Sequence, residues 1–235
     1  MKPIYRLLIL VALLAVLGGI YLLRDRRNPQ EAAQPAAQDA AMTVVDDGPA
    51  AEMLVAGGVQ LFLDNGEAWK AGVLYHNQGP AITKVTFTAP ESITEAQVDA
   101  CGKLSKLSLV SCFELPVTKD HLGILSRLTR NVTLDLNYTG VTDEELPSLE
   151  SCRSLTGLLL NGSRITDEGI SRVAGWPSLH TLTLYDTAVS DQGLDRLSAS
   201  TSLRILDVQR TRVTLAGVAR FRQALPTCFV YCDPY

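Results

Sequence analysis

Leu155-Thr-Gly-Leu158-Leu-Leu160-Asn-Gly-Ser-Arg-Ile165-Thr-Asp-Glu-Gly-Ile170 decides the fold, because two periodicities stand a few residues apart in it. Leu155, Leu158 and Leu160 follow the pattern L-x-x-L-x-L, whose period of two marks a short strand with one buried face. Ile170 and Val173 then recur at the spacing of a helix with one inward stripe. The strand pattern returns at Leu107–Cys112, Leu179–Leu184 and Leu203–Val208, and at Asn131–Leu136 with Asn131 in place of the first leucine. The central positions 110, 134, 158, 182 and 206 are each 24 apart. Three further apolar columns keep that register: Val117 to Val213, Leu122 to Val218, and Leu125 to Phe221. Four columns held over five turns define a repeat array.

Each turn therefore reads as strand, turn, helix. In Val141-Thr-Asp-Glu-Glu-Leu146, Thr142 is placed to cap a helix and Glu145 to complete a capping box, with acidic residues suiting the positive helix N-terminus. Stacked strands sit about 4.8 Å apart whereas helices need about 10 Å, so the array is expected to curve with strands on the concave side. These residues resemble the leucine-rich-repeat family. The starts Ile165-Thr-Asp-Glu-Gly-Ile170 and Val189-Ser-Asp-Gln-Gly-Leu194 look like its ribonuclease-inhibitor-like and cysteine-containing branches. The resemblance covers roughly residues 82–231. It implies an α/β solenoid, and relatives that bind proteins and other ligands of many kinds. It also implies that Thr139, Ser163, Thr187 and Thr211 are inward polar residues bonding loop backbone.

Working outward, residues 81–235 form the repeat domain of about six 24-residue repeats, and residues 48–80 an N-terminal cap. In the cap, Pro49 to Ala56 reads as a short helix stopped by Gly57-Gly58, and Asp64-Asn65-Gly66 as a hairpin turn between Val59-x-Leu61-x-Leu63 and Trp69-x-Ala71-x-Val73-x-Tyr75. Phe229-x-Tyr231 reads as a last strand. Residues 25–47, rich in Ala, Pro and Gln, have linker composition. From Leu7 to Leu23 every residue is apolar or Gly, so residues 1–24 are expected to be a transmembrane anchor spanning residues 4–23. The alternative is a cleaved signal peptide, whose apolar region is normally shorter. Two Lys/Arg before the span and three after leave its orientation open, while the linker resembles those of extracytoplasmic anchored domains.

The net charge of −4 provides no basic field for nucleic acid. Cys101, Cys112 and Cys152 occupy apolar columns and read as core thiols. Cys228 and Cys232 are expected on the outward side of the last strand, the one place where metal binding or oxidation suggests itself, although no second cluster pairs with them. His76, His121 and His180 form no order that suggests a catalytic triad, and no phosphate loop is present, so no enzyme, cofactor or metal site is expected.

The expected binding surface is the concave one, with Phe113, Asp135, Asn137, Tyr138, Asn161, Tyr185, Asp186, Asp207 and Arg210 as its candidate residues. Aromatic side chains beside carboxylates suit a protein ligand with basic character. The expected function is thus a membrane-anchored scaffold or adaptor. The alternative is a structural envelope protein whose Tyr138, Tyr185, Asn137 and Asn161 engage a glycan or surface polymer.

Overall fold

The leucine columns become strands hydrogen-bonded to one another in chain order. The computed structural model describes residues 47–69, 81–152 and 154–233. The anchor expected at 1–24, the linker up to residue 46 and the hairpin arm beyond Trp69 lie outside the described residues. Among those described, no helix is long and apolar enough to cross a membrane.

Helix α1, Gly48–Ala56, starts with Pro in its first turn, where a missing N–H costs nothing. It closes as the Gly58 N–H donates to Val55 O, with Gly58 at φ 77. Strand β1, Val59–Leu63, then meets the Asp64-Asn65-Gly66 turn, across which the Leu63 N–H donates to Glu67 O and the Trp69 N–H to Leu61 O. The other edge of β1 pairs antiparallel with β2, Ile82–Phe87, so the cap strand seals the sheet at the first repeat. From there β3 (Leu109–Ser111), β4 (Val132–Asp135), β5 (Leu155–Leu159), β6 (Thr181–Thr183), β7 (Ile205–Asp207) and β8 (Phe229–Tyr231) follow in order, giving eight strands, parallel after β2. The column Val110, Leu134, Leu158, Leu182, Leu206, Val230 is in register from β3 to β8, each member opposite the next.

On the other layer lie α2 (Glu95–Cys101), α3 (Lys119–Leu125), α4 (Asp167–Val173), α5 (Asp191–Leu197) and α6 (Leu215–Ala224). Each is capped by the hydroxyl before it, which accepts a backbone N–H: Thr94, Thr118, Thr166, Ser190 and Thr214. The turn after β4 departs from the expected helix. Thr142 donates its N–H (2.8 Å) and hydroxyl (2.6 Å) to the Glu145 carboxylate, yet Leu146–Leu149 is a 3-10 turn. Pro147, which has no N–H for an α-helical bond, explains the difference. One apolar core runs between the layers from Ala50 to Val230.

A second bonding system joins neighbouring repeats at the helix starts. Asp143 accepts the N–H and hydroxyl of Thr166, Asp167 accepts those of Ser190, and Asp191 accepts those of Thr214. Each carboxylate thus holds the N-cap of the following helix. It reaches that cap through a gap that only glycine leaves: a Cβ at Gly169, Gly193 or Gly217 would collide with Asp143, Asp167 or Asp191 respectively. The ladder starts where Lys119 gives way to Asp143, and it stops at Leu215, which occupies the aspartate's position in the last helix.

Candidate functional site: the outward face of the sheet

Residues 109 and 111 of β3, 133 and 135 of β4, 157 and 159 of β5, 181 and 183 of β6, 205 and 207 of β7, and 229 and 231 of β8 lie in register on the face away from the helices, and the candidate residues divide there into those that build the face and those that show on it. Asp135 belongs to the first group, being 4% exposed. The Ser111 hydroxyl donates to its Oδ2 at 2.9 Å and the Asn137 N–H to its Oδ1 at 3.0 Å. Burial pushes its carboxyl up from the ordinary value, against the lowering effect of those two bonds. It is not a charge available to a ligand, contrary to the sequence expectation.

The two asparagines are likewise spoken for. Asn137 is 1% exposed and its Oδ1 accepts the Asn161 N–H at 2.8 Å; the Asn161 Oδ1 accepts the Tyr185 N–H at 2.9 Å. Their acceptors tie three consecutive repeats together, and burial seals Asn137 while Asn161 stays half-buried. The same end of the sheet carries a column of left-handed residues: Glu114, Tyr138, Gly162, Asp186 and Arg210, with φ between 54 and 63. Left-handed backbone costs a non-glycine residue about 1–3 kcal/mol unless its surroundings impose it. Here the N–H of each of the first four donates to the carbonyl of the next repeat, and the Arg210 N–H donates to the Asp233 carboxylate, which takes the place of the missing carbonyl. Asp233 is therefore a terminal cap for this column. In parallel, the hydroxyls of Thr139, Thr187 and Thr211 donate to loop carbonyls at 2.6–2.7 Å. The buried Ser163 hydroxyl finds no such partner.

What shows on the face is aromatic or charged. Phe113 packs edge-on against Tyr138, centroids 5.7 Å apart, and the Tyr138 ring covers Gly162, where a Cβ would overlap it. The Arg210 guanidinium lies 5.6 Å from the Tyr185 ring centroid and donates to its hydroxyl at 3.2 Å. Asp186 is exposed. Asp207 is half-buried, and its carboxyl is pushed up by burial and by neighbouring Asp233, against the bond it accepts from the Gln209 N–H. The candidates thus split into two groups, Phe113 with Tyr138 on the first repeats and Tyr185, Asp186, Asp207 and Arg210 on the last.

Phe229 and Tyr231, absent from the sequence candidates, are 62% and 41% exposed and pack edge-on at 4.9 Å. Their signal was present in the register: they lie opposite Ile205 and Asp207, both outward positions. That parity also corrects the placement of Cys228 and Cys232. Both share the inward side with Val230, Cys228 being 5% exposed and Cys232 packed against the core, so neither stands on the outward face. Burial pushes the Cys228 thiol up to about 11, the opposite of activation. Cys101, Cys112 and Cys152 are buried with thiols also pushed up. Among the described residues, no group of three or more His, Cys, Asp or Glu is placed to hold a metal ion.

No protein-family model matches the chain, and no curated protein matches it. Among solved structures the chain is similar to an internalin C2 from Listeria monocytogenes, at 19% identity over 86% of this chain and 100% of that one, with a TM-score of 0.45. At that level the likeness says nothing of ligand or activity. The parallel sheet in 24-residue register with helices on one side is itself the α/β repeat architecture that the leucine-rich-repeat resemblance implied.

Proposed function

We propose that this chain is a membrane-anchored protein-interaction module that binds a protein partner of basic character on the outward face of its sheet. One observation carries the reading: aromatic and charged side chains stand on a face whose backbone is fixed by bonds between repeats. Asn137, Asn161 and the left-handed column leave Tyr138, Tyr185, Asp186 and Arg210 little freedom to rearrange, so a partner meets them without a large ordering cost. Tyr and Arg are also the side chains that most often dominate protein interfaces. The apolar run at residues 7–23 supports the anchor, and the helix starts Thr166-Asp-Glu-Gly169 and Ser190-Asp-Gln-Gly193 support a place near the ribonuclease-inhibitor-like repeats. No catalysis is assigned.

The test is cross-linked capture from native membranes with the full chain as bait. Tyr185→Ala with Asp186→Lys should abolish recovery of the partner, whereas Arg172→Glu on the helix side should leave it intact. Recovery by the first variant equal to that of the unchanged chain would remove the sheet face from consideration.

A further inference from the structure

The face is not uniform, and its last two strands differ from the rest. Within β3, β5 and β6 the outward strand positions Ser111, Leu159 and Thr181 are all buried. On β8 the outward positions are two large rings, and they are the most exposed apolar side chains on the sheet. Single exposed apolar residues need no explanation, but two rings packed on each other on a rigid strand form a platform. Beside it stands a carboxylate with spare capacity. Tyr231 lies opposite Asp207, whose carboxylate accepts, among the described residues, the Gln209 N–H alone, at Oδ1 and 3.0 Å. No ion pair to Asp207 occurs among the described residues. Burial and the neighbouring Asp233 make its charge unfavourable as it stands, so an incoming cation would relieve a cost already present.

We propose that the outward face of β7 and β8 docks an extended arginine-bearing segment of a protein partner, with guanidinium groups stacked on Phe229 and Tyr231 and paired with Asp207. This rests on the sheet-face reading above and adds the end of the sheet and the chemistry of the partner. Guanidinium suits both halves of the platform: it is planar and weakly hydrated, stacks on rings, and donates in a fork to a carboxylate, whereas an ammonium is a strongly hydrated point charge. The chain already contains one such arrangement a strand away, where Arg210 lies over Tyr185 and bonds its hydroxyl. The segment lies across the face and does not extend the sheet. The Phe229 N–H donates to Arg204 O and the Tyr231 carbonyl accepts from the Val208 N–H, at the two ends of β7, so the other edge belongs to Val230, and Arg222 Nη2 donates to its carbonyl at 3.1 Å. An edge so covered is blunted against a further strand. The carboxylates Asp186 and Asp207 disfavour a phosphate backbone as the occupant.

The experiment uses the full chain and fluorescein-labelled peptides of alternating Gly with Arg, Lys or Glu, read by anisotropy. The Arg peptide should bind, the Lys peptide several-fold more weakly, and the Glu peptide not at all. Phe229→Ser with Tyr231→Ser should weaken the Arg peptide by about tenfold, the loss of two ring–cation contacts. Asp207→Asn, which keeps the acceptor for Gln209, should weaken it without lowering the melting temperature. Phe113→Ser, on the early repeats, should change nothing. Equal binding of the Arg and Lys peptides, or an unaffected ring variant, overturns the proposal. If Phe113→Ser abolishes binding and the ring variant does not, the location is wrong while the sheet-face reading stands. If Arg-peptide binding is insensitive to every face variant or absent altogether, both fall.

Discussion

Gly217→Ala should destabilise the protein, although alanine is the better helix residue by roughly 0.5–1 kcal/mol at an unobstructed position. Gly217 lies in the first turn of α6, and the three atoms nearest to an added Cβ all belong to the Asp191 carboxyl group. Making room displaces that carboxylate from the Thr214 N–H and hydroxyl, both at 2.8 Å. Bonds to a charged acceptor contribute roughly 1.5–3 kcal/mol each, reduced here because Asp191 is partly solvated. Taking about 1–1.5 kcal/mol for each and subtracting the propensity gain leaves a net loss of about 1–2.5 kcal/mol. Gly123 supplies the control: it is an exposed glycine within α3 with nothing within 4 Å of its Cβ position, so Gly123→Ala should gain about 0.5–1 kcal/mol. Both are measured by urea unfolding followed by circular dichroism.

The double mutant Asp191→Ala/Gly217→Ala isolates the cause, since without the carboxylate the alanine should become neutral or stabilising. Acid provides a second check. Burial opposes ionisation of Asp191, but the two Thr214 bonds and Arg220 outweigh it and hold its carboxyl below the usual value. A depressed carboxylate contributes stability above its unfolded pKa, about 3.9, and loses it as pH falls through the folded value. The penalty of Gly217→Ala should therefore shrink in that window. A penalty of the same size in the Asp191→Ala background would refute the ladder as its origin.

Asp135→Asn keeps both bonds, with the Asn amide donating to Ser111, and removes a buried charge; stability at neutral pH should rise by on the order of 1 kcal/mol. Because the folded Asp135 carboxyl is raised, its cost is present above the folded pKa and fades as pH falls, so the gain should vanish in acid; a loss at neutral pH would contradict this. Of the five cysteines, only Cys232 should react with Ellman's reagent in the native protein, since the other four are buried; two or more fast thiols would show the last repeat to be open. Asp233→Ala should raise hydrogen exchange at the Arg210 amide by about tenfold, the loss of one charge-assisted bond, and leave the Tyr138 amide, bonded to the Asn161 carbonyl, unchanged.

What the sequence determined by itself is whatever repeats every 24 residues within one turn. A strand needs alternating apolar residues and a helix needs a stripe and a cap, and both patterns are local, so Leu158, Ile170 and Thr166 could be assigned without a neighbour. The exception at Leu146–Leu149 is also local, since Pro147 withholds an N–H that an α-helix there would need. Sequence periodicity told inward from outward along most strands; the last strand was assigned the wrong parity, because its flanking cysteines fit either side of so short a pattern.

Tertiary structure decided what each polar column does, because that depends on contacts between residue n and a residue 23 to 26 positions away. Asp167 and Asp191 fit their own helix dipoles and Asp143 precedes only a 3-10 turn, yet all three carboxylates hold the caps of the next helices through gaps left by Gly169, Gly193 and Gly217. Asp135 and Asn137 sit at outward positions and are nevertheless buried, since neighbouring strands lie only about 4.8 Å apart and the side chains on either side close over a short polar group. Large rings cannot be covered in that way. Among the described residues Phe229 and Tyr231 have a neighbouring strand on one side alone, and they remain exposed.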